Sequence, residues 1–424
     1  MHALRRLFRL RGSLWRDPSF LKLWFGQSVS RIGTRVTALA LPTAAIQLLQ
    51  ADALQVGALA AVQYLPFLVL GVPAGVLVDR LPRRLVMVAC DLGRLVVLAA
   101  VPLLYFAGRL SMAHLYVVAL LVGLFTVFAE VAFQAYLPTL VERSDLVEGN
   151  AKFEVTNSVS IVAGPALGGF LIQLFRAASA ILIDAASYVV SILTLLWIRR
   201  PEVLAAAGRP PGNAGPGLWQ GFTDGLRTVL GSPTIMLIAA SSATANVGAQ
   251  MVQAVYLLYA YQELHLSAAV VGVVLAVGSL ASIAGAMVAF PLARRAGYGP
   301  ILAVSIFLAF VSYLLLPVAR LGLAVPLLVL AGLITNFNLP IYNVNTVTVR
   351  QAIVPNELQG RVVGTVRTLV IGVAPVGALL GGLVGSTLGL VPAVVLGTLV
   401  GTLSAAWILA GPVHIGQDLS AVHP

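Results

Sequence analysis

Seven ionisable residues sit inside long apolar runs of this chain: Arg31, Arg35, Asp91, Arg94, Glu130, Asp184 and Arg367. A charge at membrane depth is costly and marks a functional site by default. Arg31 and Arg35 stand one helical turn apart and share a face. They fall about a dozen residues inside their run, roughly 18 Å at helical rise. Glu130 lies at an overlapping depth in another run, so a Glu130–Arg31 pair is feasible. Desolvation favours a protonated carboxyl and a nearby guanidinium favours an ionised one, so moving the arginine would switch proton affinity. That is the chemistry of a proton-coupled carrier. The alternative is a fixed ion pair that only sets packing. Asp184 is a second proton candidate, expected near the outer end of its run, where it could simply reach the interface. Asp91 and Arg94 share a face near the other end and are expected to join a structural network with the loop at Asp79.

Uncharged polar groups gather in two later runs. One carries Asn246, Gln250 and Gln253; the other carries Asn336, Asn338, Asn343 and Asn345, with Phe337 and Tyr342 nearby. Some would serve as hydrogen bonds between helices. Their density suggests a binding surface for a small, largely apolar solute, because ligand pockets combine apolar walls with few polar anchors.

Several chemistries are excluded. Lys22 and Lys152 are the only lysines and neither follows glycine, so there is no phosphate-binding Gly-Lys-Ser/Thr loop. Cys90 is the single cysteine and the five histidines are scattered, so no disulfide, metal site, cofactor or nucleophile–base pair is expected, and the chain is read as no enzyme. The 424 residues are 59% hydrophobic and only 10% charged, with mean hydropathy +0.97. That charge is too little to cover a water-exposed surface, so the solvent for most of the chain is a lipid bilayer.

Twelve apolar runs are long enough to cross a membrane as helices: 20–49, 54–78, 85–107, 112–138, 151–175, 178–198, 232–260, 267–292, 299–319, 323–348, 362–387 and 391–411. None alternates as a barrel strand would. With the N-terminus in the cytoplasm, only Arg109, Arg176 and Arg320 fall outside; every other Lys and Arg between the spans is inside. This is the positive-inside pattern and puts both termini in the cytoplasm of a multi-pass protein of the cytoplasmic membrane. It also absorbs the net charge of +11, so nucleic acid is not needed as a partner.

The longest polar break, 199–231, contains GRPPGNAGPG and then LWQGFTDGLRTVLGSP, a Pro/Gly linker followed by a short amphipathic surface helix. The expected organisation is a cytoplasmic segment 1–19, a six-helix bundle 20–198, the linker 199–231, a second six-helix bundle 232–411 and a tail 412–424. The halves echo each other: stretches starting at Val141 and Ile353 each open on a cap-like turn and end in a Pro followed by Gly-Gly. Parallel repeats of this kind let secondary transporters open a central site to alternate sides.

The short connection GVLVDRLPRRL, Gly75–Leu85, packs one Asp and three Arg between two apolar runs. Gly75, Asp79, Arg80, Arg83 and Arg84 resemble the loop 2–3 signature of the major facilitator superfamily. FLKLWFGQSVSRIG, ACDLGR, QAYLPTLV, GPALGG and GFTDGLR are similar to its bacterial enterobactin and macrolide exporters, most clearly in the first half. The resemblance implies an all-α fold of two pseudo-symmetric six-helix bundles, a cavity lined by spans 1, 4, 7 and 10, and a monomer. It implies export of a drug-, macrolide- or siderophore-type solute in exchange for protons. In that family the Asp equivalent to Asp79 clips the bundles together at the start of span 11, here NELQGRVVG; the arginines alone could instead serve orientation. The second-half counterpart loop keeps Arg294 and Arg295 but has no Asp, so an asymmetric gate is expected. Gly164, Pro165, Gly168 and Gly169 resemble the span-5 helix-bend motif of antiporters, with plain small-residue packing as the alternative. Other readings left open are a facilitator or importer, and a lipid-handling accessory protein.

Overall fold

The computed structural model describes residues 13–200, 202 and 218–411, and the regular elements among them are all helical. Eleven continuous stretches are long and apolar enough to cross a membrane. One of them, Leu146–Leu196, would be about 77 Å long at helical rise, more than twice a hydrocarbon core. It breaks at Arg176, whose φ of 65° and ψ of 160° are not helical, so it supplies two spans. The twelve spans are α1 Pro18–Leu49, α2 Ala53–Asp79, α3 Arg83–Phe106, α4 Met112–Leu140, α5 146–175, α6 177–196, α7 Pro233–Glu263, α8 Ala268–Ala296, α9 Tyr298–Leu321, α10 Ala324–Ile353, α11 356–387 and α12 Leu390–Leu409. The expected end segments fall largely in 1–12 and 412–424, and most of the Pro/Gly linker in 203–217, outside the described residues.

Local chemistry starts and stops these helices. Asp17 accepts the Ser19 and Phe20 amides at the head of α1, with Pro18 in the first turn. Asp52 and Gln55 form a reciprocal capping box at α2. Pro82 leaves the first amides of α3 uncapped from within the helix. Those amides are satisfied from afar: Glu202 accepts from Arg83 N at 2.8 Å and Arg84 N at 3.2 Å, tying the α2–α3 loop to the chain just past α6.

The amphipathic helix expected after the linker is Leu218–Gly231. It lies on the start of α11. Asp224 pairs with Arg361 at 3.0 Å, and Val229 packs with Val362 and Val366.

Two six-helix bundles result. In the first, α1 packs along α5 and α6, and α4 packs on α2 and α3; in the second, α7 packs on α11 and α12, and α8 on α10. The bundles meet through α5 with α8 and through α2 with α11. Both seams are bare backbone contacts near the face opposite the Arg-rich loops. A Cβ at Gly169 would lie 2.3 Å from the Ala268 carbonyl oxygen and 2.9 Å from Gly272 Cα. A Cβ at Gly57 would lie 2.9 Å from Gly382 Cα. Thr43 and Tyr261 share a 3.0 Å hydrogen bond between α1 and α7 at the same level. At the Arg-rich face, Gly75, Gly360 and Gly364 have no atom within 4 Å of where a Cβ would stand. The bundles are sealed at one face, while these three glycines of α2 and α11 meet nothing at the other.

Inside the first bundle, Asp91 and Arg94 form an ion pair that is almost fully buried. Ser191 of α6 donates to the other Asp91 oxygen at 2.6 Å, and the Arg94 guanidinium lies 4.5 Å from the Tyr188 ring centroid. Among the described side chains the pair is held from α6, while Glu202 serves the amides of the α2–α3 loop; the Asp79 side chain lies outside the described part. Asp184 is also 1% exposed and does not reach the interface. Gly33 of α1 makes room for it, since a Cβ there would sit 2.5 Å from its Oδ1.

Two outcomes test this packing. Gly169→Val should keep the closed face from sealing; in a Cys90→Ser background, a cysteine at Thr43 should go from protected to readily labelled by an impermeant maleimide applied to that face. Asp91→Ala should cost about 3–5 kcal/mol in SDS-unfolding titrations by stranding Arg94, and Asp91→Ala with Arg94→Leu should recover most of it.

Candidate functional site

The space between the bundles holds a small set of charges. Glu130 on α4 and Arg367 on α11 approach to 3.7 Å, joining the first bundle to the second. Their side chains are 48% and 56% exposed although both lie mid-span. Glu130 is ten residues from Leu140 and Arg367 eleven from Asn356, about 15 and 16 Å in from the Arg-rich face. Exposure at that depth on helices of opposite bundles means exposure to the gap between them, since lipid would not solvate either charge.

This partner differs from the expected Arg31. Arg31 projects between α4 and α5, its guanidinium 5.3 Å from the Phe133 ring and 6.0 Å from the Phe153 ring, with Nε buried and unpartnered. Glu130 and Glu154 still act on it electrostatically. Arg35, one turn deeper, is exposed. Its Cβ rests on Gly164 of α5, where a glycine Cβ would approach to 2.3 Å, and it lies within electrostatic reach of Tyr64 on α2 and of Glu130.

The span-5 residues therefore have definite neighbours. Gly164 seats Arg35, Gly168 abuts Val36, and the Pro165 carbonyl and Gly169 press on Gly272. The break that ends α5 is at Arg176, eleven residues beyond Pro165, whose own helix continues. In the loop region, Arg80 is exposed, Arg84 donates to the Ile198 carbonyl, and a Cβ on Gly75 would meet open space. Asp79 closes α2, and its side chain, like that of Asn356, lies outside the described part of the structure.

The amides divide. Gln253 and Asn343 are exposed, Gln250 borders Gly377 of α11, and the Asn246 Oδ1 is buried without a partner. Asn336 donates to the Gly332 carbonyl of its own helix at 2.8 Å, and buried Asn338 to Ile334. Tyr342 is 2% exposed and bonds Ser241 at 2.9 Å and Ser242 at 3.0 Å across the α7–α10 seam. As cavity walls, Asn338 and Tyr342 are a correction: both are consumed by helix packing. Among the described residues no cluster of three His, Cys, Asp or Glu could hold a metal.

Sequence reasoning overlooked Arg367 as the partner of Glu130, although it had flagged that charge. It also overlooked Glu202 and Tyr64. Opposite sign at matching depth was the available signal for Arg367.

The chain is 27% identical over 378 residues to the multidrug efflux pump Tap of Mycolicibacterium fortuitum, covering 87% of this chain and 89% of that one. It is 25% identical over 184 residues to macrolide efflux protein A of Streptococcus pyogenes, covering 43% and 45%. Among solved structures, the nucleoside transporter NupG superposes with a TM-score of 0.72 at 13% identity, over 92% of this chain and 98% of that one. A bacterial homologue of the human lysosomal transporter Spinster, inward-facing and unoccupied, gives 0.68 at 14% identity over 92% and 94%. The family model for the major facilitator superfamily matches residues 23–370. With twelve spans in two bundles and a charged gap between them, the chain belongs to the major facilitator superfamily.

Proposed function

We propose that this chain exports a small, largely apolar solute across the cytoplasmic membrane by alternating access, in exchange for protons, with both termini in the cytoplasm. The observation that carries the reading is the Glu130–Arg367 pair, which spans the gap between bundles. The efflux relatives support the direction of transport.

The coupling follows from where Arg367 can be. In the state parted at the Arg-rich face, Arg367 stands beside Glu130 and gives the carboxylate a charged partner. When the bundles rock to open the other face, α11 swings relative to α4 and that partner withdraws. A carboxylate left alone in an apolar bundle takes up a proton from the newly opened side. Return to the parted state brings Arg367 back and discharges the proton into the cytoplasm. The solute travels the opposite way, bound when Glu130 is paired and released when it is protonated. The loop around Asp79 serves as the clip that closes the Arg-rich face, and the two bundles at 20–198 and 232–411 move as its two jaws. The protein works as a monomer.

Energised everted vesicles offered macrolides, siderophores and cationic drugs should show compound-dependent proton release with a pH dye. Glu130→Gln should abolish that release in folded protein; release that persisted would remove Glu130 from the mechanism. Arg367→Gln should also uncouple, since it removes the group that discharges the proton. Solute should then still exchange across the membrane without net proton movement.

A further inference from the structure

We propose that the exported solute carries an anionic group, a carboxylate or similar oxyanion, and that Arg35 is the residue that binds it. This rests on the reading of the chain as a solute transporter and names its substrate class.

Charge accounting in the gap leads there. The arginines exposed at mid-span depth are Arg35 on α1 and Arg367 on α11, and the carboxylate exposed with them is Glu130 on α4; Arg31 turns away from the gap, between α4 and α5. Two guanidinium groups face one carboxylate there, so one positive charge is in excess. Glu130 is held by Arg367. Among the described residues Arg31 makes no ion pair, but its guanidinium is withdrawn from the gap, flanked by the Phe133 and Phe153 rings. Arg35 is the remaining cation, and among the described residues it makes no ion pair. It lies seventeen residues into α1, about 26 Å from the Arg-rich face, the deepest of the three. An unpaired guanidinium near the middle of a bilayer requires a partner. The protein supplies no carboxylate here and only water in the gap solvates the group, so an anionic group on the cargo is the partner that would replace that water.

The surroundings fit a binding role. Gly164 is bare where Arg35 Cβ rests, and any side chain there would displace the arginine. Arg35 is exposed at this depth, and Tyr64 on α2 lies near enough to act on it electrostatically. A planar guanidinium presents paired donors that match a carboxylate or phosphate in a way a lysine does not. In the state described, Glu130 is occupied by Arg367, so the solute and the coupling carboxylate do not compete for one arginine. An inside-negative membrane potential would moreover favour outward movement of an anion.

The test uses one dye scaffold in two charge forms, fluorescein as the anion and rhodamine 6G as the cation. Uptake into everted vesicles and binding to detergent-purified protein by anisotropy are both read. The expected result is anion binding and uptake, at least tenfold weaker binding for Arg35→Gln, and partial rescue by Arg35→Lys. Gly164→Val should imitate Arg35→Gln with Arg35 still present. Preference for fluorescein in the wild type tests the charge rule even if a variant fails to fold. Uptake of rhodamine 6G without fluorescein, or fluorescein uptake that Arg35→Gln leaves unchanged, would overturn the inference while leaving the transporter reading intact. Glu130→Gln separates the two claims: it should stop proton exchange without weakening fluorescein binding.

Discussion

Hydrocarbon solvates no charge, and the internal arrangement of this protein follows from that. Each ionisable side chain within the spans must pair inside the protein or face water held between the bundles. Asp91 and Arg94 take the first course, closed in by Ser191 and Tyr188 from α6. Glu130, Arg367 and Arg35 take the second, and their exposure at mid-span depth marks where the gap runs. Asp184 is buried against Gly33 with one oxygen unpartnered. The same constraint thus separates a buried ionic core in the first bundle from a set of charges exposed between the bundles.

Small residues complete the division of labour. Lipid tails are as apolar as leucine, so helices in a membrane gain little from burying large side chains against each other and gain more from close backbone approach. The glycines at 57, 169, 272 and 382 bring two pairs of helices into direct backbone contact. Gly164 belongs to the same short motif as Gly169 yet does a different job, seating an arginine rather than another backbone. One motif in α5 therefore serves both the seam between bundles and the polar gap.

The spans were legible in the sequence because a bilayer demands about twenty apolar residues whatever they pack against. The misses are concentrated at one face. α5, α8, α10 and α11 each run four to six residues beyond the apolar window at the Arg-rich end, starting or stopping at Leu146, Ala296, Ile353 and Asn356. Hydropathy reports the hydrocarbon, whereas a helix can continue into water. Depth was equally readable; it placed Glu130 level with Arg31, and in the structure Arg367 lies at a matching depth. Which of them Glu130 meets depends on the azimuth of α4 and on how α11 crosses the gap, and neither is encoded in a single span. Asn338 and Tyr342 failed for a related reason: polarity on a cavity helix does not say which side of that helix is the cavity.

The glycine seams also set the mechanics of the molecule. They lie four to six residues from the closed ends of their helices, so they act as a fulcrum placed far off centre. From Gly57 to Asp79 the longer arm of α2 is about 33 Å. A rocking of about 10° at the seam displaces its tip by about 6 Å. The touching backbones scarcely move through this rotation, whereas opening the opposite face would part them. A wide aperture at the Arg-rich face is thus obtained from a displacement small enough to leave the helices themselves unbent.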